Sequence, residues 1–446
     1  MWMLAARCEP RRRHGDEVIF TNVVKPTHLC NLACTYCYND DIRRPVMAET
    51  TLRRVVEQTF SYVRGHAPQR LVSFIWHGGE PMVAGLPFYE RAVAFQRALG
   101  GDLLYDNSIQ TNGTLIDNRW LDFFQRERFS VSISIDGPRD LHDRLRVDRR
   151  GRGSFDRVDA AITRVQEAGI PLGVCIVISR ANVDHVEDIY DYVASRGLRF
   201  NVIPLNRSGG ARDHFNDVGL AAEEYAPAWI RMYDRWFDAE QDYVYCSDFV
   251  YKTRAILAGK PADCVALAQC SDTNIAVDPV GDVFGCATLS GSEGTRYGNL
   301  VNDDLEAIMR SPVALDYRNR RTDPQCASCR WQHVCHGGCQ ARAYKFFGDH
   351  HRRDYYCPSL FAIYEHIAQR LVDKLGGRFL PATGDRHDGP EAALAVPAEP
   401  AALARPVDEP ATGCSGCGSA TGLVTSRSPN SVPVTLRRSQ HGAELV

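Results

Sequence analysis

Short β-branched runs alternate along the first half of the chain with longer stretches whose apolar positions recur at helical spacing. Val18 to Val24, Leu71 to Trp76, Tyr105 to Gln110, Phe129 to Ile135, Leu172 to Ser179 and Leu198 to Leu205 are predicted as strands. Thr50 to Val63, Pro87 to Leu99, Asn118 to Arg126, Phe155 to Ala168 and Val183 to Ser195 are predicted as helices between them. Six such strands in repeats of strand, polar loop and helix predict an α/β fold, a parallel sheet covered by helices in the form of a partial (β/α)6 barrel. Ligands of such barrels gather at the C-terminal edge of the sheet, so chemistry is expected in the loops that follow the strands.

Past the sixth strand the pattern changes. Ala221 to Ala239 reads as a helical connector, and Val277 to Val283 reads as strand, turn and strand. Beyond Gly377 the chain turns rich in Ala, Pro, Gly and Ser, as in Pro390 to Pro410, and cannot bury enough apolar surface to order itself. The expected division is an N-terminal extension over 1–17, the barrel over 18–206, the connector over 207–259, a cysteine-rich domain over 260–377 and a disordered tail over 378–446. The tail contains Cys414 and Cys417, a C-x2-C pair without a second pair.

A length of 446 residues accommodates two or three domains with a substantial core. A net charge of -3 gives no electrostatic case for nucleic acid or an anionic membrane. Arg11, Arg12 and Arg13 are not followed by the apolar core of a signal peptide, and no later stretch is apolar enough to span a bilayer, so a cytoplasmic location is expected. That compartment keeps thiols reduced, so the 16 cysteines read as metal ligands rather than disulfides.

Cys30, Cys34 and Cys37 form C-x3-C-x2-C on the loop after the first strand. Three thiolates hold three corners of a four-iron cluster and leave one iron open to bind a small molecule. A structural zinc site is the alternative, with His28 as its fourth ligand. The cysteine spacing, with Tyr36 before the last cysteine, resembles the signature of the radical SAM superfamily. The resemblance implies that the open iron chelates S-adenosylmethionine and that its reductive cleavage yields a 5′-deoxyadenosyl radical able to remove hydrogen from an unactivated carbon. Gly78, Gly79 and Glu80 after the second strand match the family segment that contacts the methionyl amine. Asn112, Ser134 and Arg146 sit where relatives place polar contacts to the cofactor's ribose and carboxylate.

The cysteine-rich part carries Cys264, Cys270 and Cys286, then Cys326, Cys329 and Cys335 as C-x2-C-x5-C, then Cys339 and Cys357. Eight cysteines suffice for two fully ligated four-iron clusters, or for two structural zinc sites. The arrangement, with Gly298-Asn299-Leu300 and Cys335-His336-Gly337-Gly338-Cys339, is similar to the SPASM domain of peptide-modifying radical SAM enzymes. By that resemblance Cys264, Cys270, Cys286 and Cys339 hold one auxiliary cluster, and Cys326, Cys329, Cys335 and Cys357 hold the other, making three [4Fe-4S] clusters in all. The two sets interleave, and spacing alone does not divide them.

The likeness extends over residues 18 to 375 and is strongest to anaerobic sulfatase maturases and maturases of ribosomally made peptides. It implies a reducing donor such as a flavodoxin or ferredoxin, and auxiliary clusters that take the electron left on the substrate radical. Sulfatase maturases carry an aspartate directly after the third auxiliary cysteine to take a proton; here Ala287 follows Cys286. The expectation is therefore a maturase that installs an intramolecular crosslink in a ribosomal precursor peptide. Formylglycine formation stays open because Asp272 or Asp278 could serve as the base, and a zinc-stabilised binding module is the non-catalytic alternative. About 17 residues before the first strand are too few for a leader-binding domain, so the peptide is expected to dock on the barrel or SPASM surface or to come with a separate leader-binding protein.

Overall fold

The structure, a computed structural model, describes residues 19–39, 45–66, 71–239 and 244–375, and the backbone of 436–439 and 442–445. The expected N-terminal extension, the pair Cys414 and Cys417 and most of the expected tail lie outside the described residues. Leu436–Ser439 and Gly442–Leu445 pair as an antiparallel ribbon.

Six strands follow the expected order: β1 Phe20–Val24, β2 Val72–Trp76, β3 Tyr105–Thr111, β4 Ser130–Ser134, β5 Leu172–Ile178 and β6 Arg199–Pro204. Each pairs in parallel with the next, in the register Phe20 to Val72 through Val24 to Trp76 for the first pair. All five residues of β1 and of β2 are buried, as a parallel barrel strand is when helices cover its outer face and its inner face points into the barrel. Helix α1, Glu49–His66, buries Leu52, Val55, Val56, Phe60 and Val63 along one face. Helix α2 covers Leu86–Gly100, and α3, Asn118–Glu127, starts where the Asp117 carboxylate accepts from the Trp120 N–H. The result is the open sheet of a partial barrel, as the sequence predicts.

The strand-turn-strand segment is not a separate sheet. Strands β7 Asn274–Val277, β8 Asp282–Phe284 and β9 Arg296–Asn299 extend the barrel sheet to nine strands, in the order β6-β5-β4-β3-β2-β1-β7-β8-β9. Strand β1 would otherwise be an open edge, and its free backbone groups find partners here: Thr21 N–H donates to the Thr273 carbonyl and Lys25 N–H to the Val277 carbonyl, both at 2.8 Å. This pairing sets the turn at Asp278 beside the C-terminal end of β1, and antiparallel β8 runs back from it along β7 to Cys286.

The connector is two helices rather than one, Tyr225–Asp238 and Ser247–Ala258, because the segment around Val244 and Cys246 returns to the sheet as a parallel bridge to Phe200. Both helices pack against the long helix Cys357–Leu375 that begins at the last expected ligand. The Tyr356 hydroxyl donates to the Leu205 carbonyl at the end of β6 over 2.9 Å. No described helix is long and apolar enough to cross a membrane.

Candidate functional site

The loop after β1 folds back on itself because its polar backbone finds partners in two neighbouring loops. Gly79 N–H donates to Thr27 O and Glu80 N–H to Leu29 O, while Ala33 and Thr35 N–H groups donate to Val147 and Leu145 carbonyls. The cysteine loop is thus clamped between the glycine turn after β2 and the segment after β4. The clamp is tight: a Cβ on Gly79 would lie 2.3 Å from the His28 carbonyl oxygen and 2.4 Å from that of Leu29. Gly78 adopts a φ of +145°, open only to glycine, and its own Cβ position lies 2.3 Å from Thr27 O.

Donors converge on the thiols in this loop. Leu32 N–H lies 3.4 Å from Cys30 Sγ, Asn112 Nδ2 lies 3.8 Å from the same sulfur, and Asn39 Nδ2 lies 3.8 Å from Cys37 Sγ. Burial, then the neighbouring Glu80 carboxylate, pushes the Cys30 thiol up to about 12, and burial pushes Cys34 up to about 11 against the favourable Arg146 charge. Thiols so placed ionise when a cation takes them.

The remaining expected contacts are brought to the same edge. Glu80 is fully buried, and its carboxylate accepts from Met82 N–H, Thr111 Oγ1 and Asn112 N–H at 3.1, 2.7 and 2.8 Å. Burial raises it to about 7 against those three bonds. Most of its lone pairs are therefore spent bracing the glycine turn to the loop after β3. Asn112 also bonds Asn31 Oδ1 at 2.9 Å, so it ties the third loop to the first. Ser134 accepts from Gln110 Nε2 at 2.9 Å. Arg146 is buried and paired with Asp136, its Nε 2.8 Å from Oδ2. Asp136 also accepts from Tyr36 Oη and from Val177 N–H, so it joins the cysteine loop, the loop after β4 and β5.

Seven of the eight later cysteines fall into two groups. Cys270, Cys286 and Cys339 each lie within electrostatic reach of another member of that trio, and Cys326, Cys329, Cys335 and Cys357 do the same among themselves. Burial raises the Cys326 thiol to about 11, with Cys357 and Cys329 adding to it. Cys264 is half-buried in the loop before Cys270. Cys175 and Cys246 are buried among the apolar residues of the core.

Geometry separates the two readings of these cysteines. A tetrahedral zinc ion holds sulfurs at about 2.3 Å and so only ~3.8 Å from one another. Among the described residues no three cysteine sulfurs lie mutually within 4.8 Å. The described cysteines thus do not stand as a closed zinc tetrahedron, and a cluster, whose separate irons each take one thiolate, asks for a wider set. Asp316, His350 and His351 do come within 4.8 Å of one another. However, His351 Nδ1 accepts from the Arg321 N–H at 3.1 Å, so a neutral His351 carries its proton on Nε2, toward Asp316, and offers no lone pair there.

Sequence reasoning missed Lys25. It follows β1, is 1% exposed, hydrogen-bonds Asn39 Oδ1 at 3.2 Å and lies 4.9 Å over the Tyr38 ring. Burial, then Lys345, lowers it to about 8, while Asp278, Cys286 and Cys37 pull the other way. It therefore feels both the first cysteine set and the set containing Cys286. Its position directly after a strand, at the edge where the other loops gather, is the signal that could have found it. The two acids named as replacement bases are otherwise engaged: Asp272 pairs with Arg318 Nε at 2.6 Å, and buried Asp278 accepts from Val280 and Asp282 N–H groups in the turn after β7.

With this geometry in place, the likeness to known proteins is specific. The pattern of the radical SAM superfamily matches residues 24–193, and that of the SPASM iron-sulfur cluster-binding domain matches residues 269–330. The serine-type anaerobic sulfatase-maturating enzyme of Klebsiella aerogenes is 29% identical over 76% of this chain and 86% of its own length. The cysteine-type enzyme of Clostridium perfringens (strain 13 / Type A) is 27% identical over 79% of this chain and 97% of its own. The solved structure of native anSMEcpe with bound AdoMet and Cp18Cys peptide aligns with a TM-score of 0.70 and 26% identity, covering 80% of this chain and 98% of that one.

Proposed function

This chain is a radical SAM enzyme that carries a SPASM iron-sulfur cluster-binding domain, and from that premise we propose that it oxidises a side chain of a polypeptide by two electrons. The observation that carries the reading is the position of buried Lys25, whose ammonium bonds Asn39 Oδ1 at 3.2 Å beside Cys37, at the end of the strand to which β7, the start of the hairpin leading to Cys286, is paired. Hydrogen removal near the first set and electron acceptance at the second both need the substrate carbon between them.

When bound, S-adenosylmethionine and the cluster of Cys30, Cys34 and Cys37 supply the radical chemistry. The chain supplies position. The carbonyls of Gly78, which already accepts from Asn39 Nδ2 at 2.9 Å, and Gly79 would take the amino group, Glu80 fixes their turn, and Asn112, Ser134 and Arg146 would border the remainder of the cofactor. The Asp136 pair holds Arg146 while Tyr36 ties the cysteine loop to the same carboxylate. Cys264, Cys270, Cys286 and Cys339 hold one auxiliary cluster, and Cys326, Cys329, Cys335 and Cys357 hold the other.

The extent of likeness to sulfatase-maturating enzymes supports conversion of a cysteine or serine of a sulfatase to formylglycine. One observation favours a second product, an intramolecular crosslink in a small peptide: buried Ala287 stands where a proton-accepting carboxylate is expected, and Asp272 and Asp278 are committed to other bonds. Anaerobic incubation of the reconstituted enzyme with a sulfatase peptide, followed by an aldehyde-reactive hydrazide, tests the first product. An aldehyde supports formylglycine. An unreactive peptide, with a two-hydrogen loss and blocked fragmentation in a short precursor peptide instead, replaces it by the crosslink; no modification of either refutes the function.

A further inference from the structure

Tyr317 lies in the helix Pro312–Arg318 and is buried, at 3% exposure. Its hydroxyl makes no hydrogen bond to any described residue. A buried hydroxyl without a partner is costly, which is why such groups in folded proteins nearly always have one. The neighbouring Tyr297 shows the contrast, because its hydroxyl donates to Ser271 Oγ at 3.3 Å.

The surroundings of the ring indicate what the hydroxyl is aimed at. Gly285, directly before Cys286, lets two tyrosines close over it: a Cβ there would lie 2.9 Å from Tyr317 Cε1 and 2.2 Å from the Tyr297 oxygen. The ring also packs against Tyr297 and His350, with centroids 6.2 and 5.0 Å away, which fixes its direction. The charges that bear on its hydroxyl are those of Cys270, Cys286, Tyr297 and Cys339. A phenol keeps its proton at neutral pH and so is available as a donor. Cys286 already accepts from Thr288.

We propose that the Tyr317 hydroxyl donates a hydrogen bond to a sulfur of the cluster held by Cys264, Cys270, Cys286 and Cys339 and raises that cluster's reduction potential. The proposal deepens the function above and rests on the reading that these cysteines hold an iron-sulfur cluster. Reduction adds negative charge to a cluster, and a donor at its sulfur stabilises the more negative state. The effect suits a group that must take an electron from the substrate. Tyr317 acts through the cluster and touches no substrate, so it is a positioning residue.

The test is a potentiometric titration followed by electron paramagnetic resonance. The full chain carries Cys30→Ala, Cys34→Ala and Cys37→Ala, so that only the auxiliary clusters are read. Tyr317→Phe is expected to move one of the two midpoints to a lower potential and leave the other in place, at unchanged iron content. Tyr317→3-fluorotyrosine, which keeps the shape and strengthens the donor, is expected to move the same midpoint upward. A ring that only fills space does not give shifts of opposite sign. Unchanged midpoints in both variants at full iron content overturn the proposal while leaving the cluster reading intact. Failure of the parent chain to hold iron at these cysteines overturns both.

Discussion

Asp354 joins the two auxiliary cysteine sets, and its replacement gives the most informative stability measurement. Its carboxylate is buried and accepts from Arg342 Nε at 2.9 Å, from Cys339 N–H at 2.8 Å and from Tyr356 N–H at 3.0 Å. Its backbone carbonyl accepts from Cys357 N–H at 3.0 Å, and its N–H donates to Gly337 O at 2.8 Å. One residue therefore orients Cys339 of one set and Cys357 of the other. Asp354→Asn keeps the shape but turns an amide N–H2 toward donors and takes this carboxylate from the buried Arg342 guanidinium. Breaking a buried pair from one side costs about 3–5 kcal/mol, a large share of the ~5–15 kcal/mol that a domain has. With urea slopes of about 1–3 kcal/mol per molar, the midpoint is expected to fall by roughly 1 M or more. Iron should fall at the auxiliary sets and hold at Cys30, Cys34 and Cys37, read by iron analysis beside electron paramagnetic resonance. Asp354→Asn/Arg342→Met should recover part of the loss, because the variant leaves neither charge of the pair buried without its partner. An unchanged urea midpoint and full iron in Asp354→Asn would refute the reasoning.

Three further outcomes follow from the same geometry. Gly79→Ala drives a methyl into the His28 and Leu29 carbonyls and should abolish S-adenosylmethionine binding measured by equilibrium dialysis, with Gly65→Ala, which meets nothing within 4 Å, as the silent control. Glu80 binds its proton more tightly folded than unfolded, with burial raising it to about 7 from 4.5, so its contribution is full below the unfolded value and is lost as pH rises through 7; urea unfolding should show a decline on the order of 3 kcal/mol at most across that window, absent in Glu80→Gln. With Cys30 and Cys34 raised to about 12 and 11, the iron-free folded chain should alkylate slowly at pH 8 at these two thiols, and iron loading there should quicken as pH rises; alkylation as fast as in the urea-unfolded chain would contradict this.

The barrel strands were legible because each is a short apolar run closed by a polar loop, and Phe20–Val24 through Arg199–Pro204 fall within a residue or two of the ranges expected from pattern. The first cysteine set was legible because its members are local. The later cysteines were not divisible from spacing, since Cys339 lies between Cys335 and Cys357 in sequence and beside Cys286 in space; only the fold decides such neighbours. The pairing of β7 with β1 was hidden for the same reason, being set by unsatisfied backbone at a sheet edge rather than by residue type. Glu80 was read as a ligand for an amine, and the structure finds it already bonded to three protein donors that no motif announces. Lys25 carries no motif at all, and only its burial beside two cysteine sets distinguishes it from a surface lysine.

The central claim is that the chain couples cleavage of S-adenosylmethionine to two-electron oxidation of a polypeptide. It is tested most directly by measuring 5′-deoxyadenosine and the accurate mass of a cysteine- or serine-containing polypeptide in one anaerobic, reductant-driven reaction, with Cys34→Ala as the reference. 5′-Deoxyadenosine is expected in step with the oxidised polypeptide, and neither product from the variant. 5′-Deoxyadenosine without any change in the polypeptides offered, or an oxidised product made equally by Cys34→Ala, would contradict it.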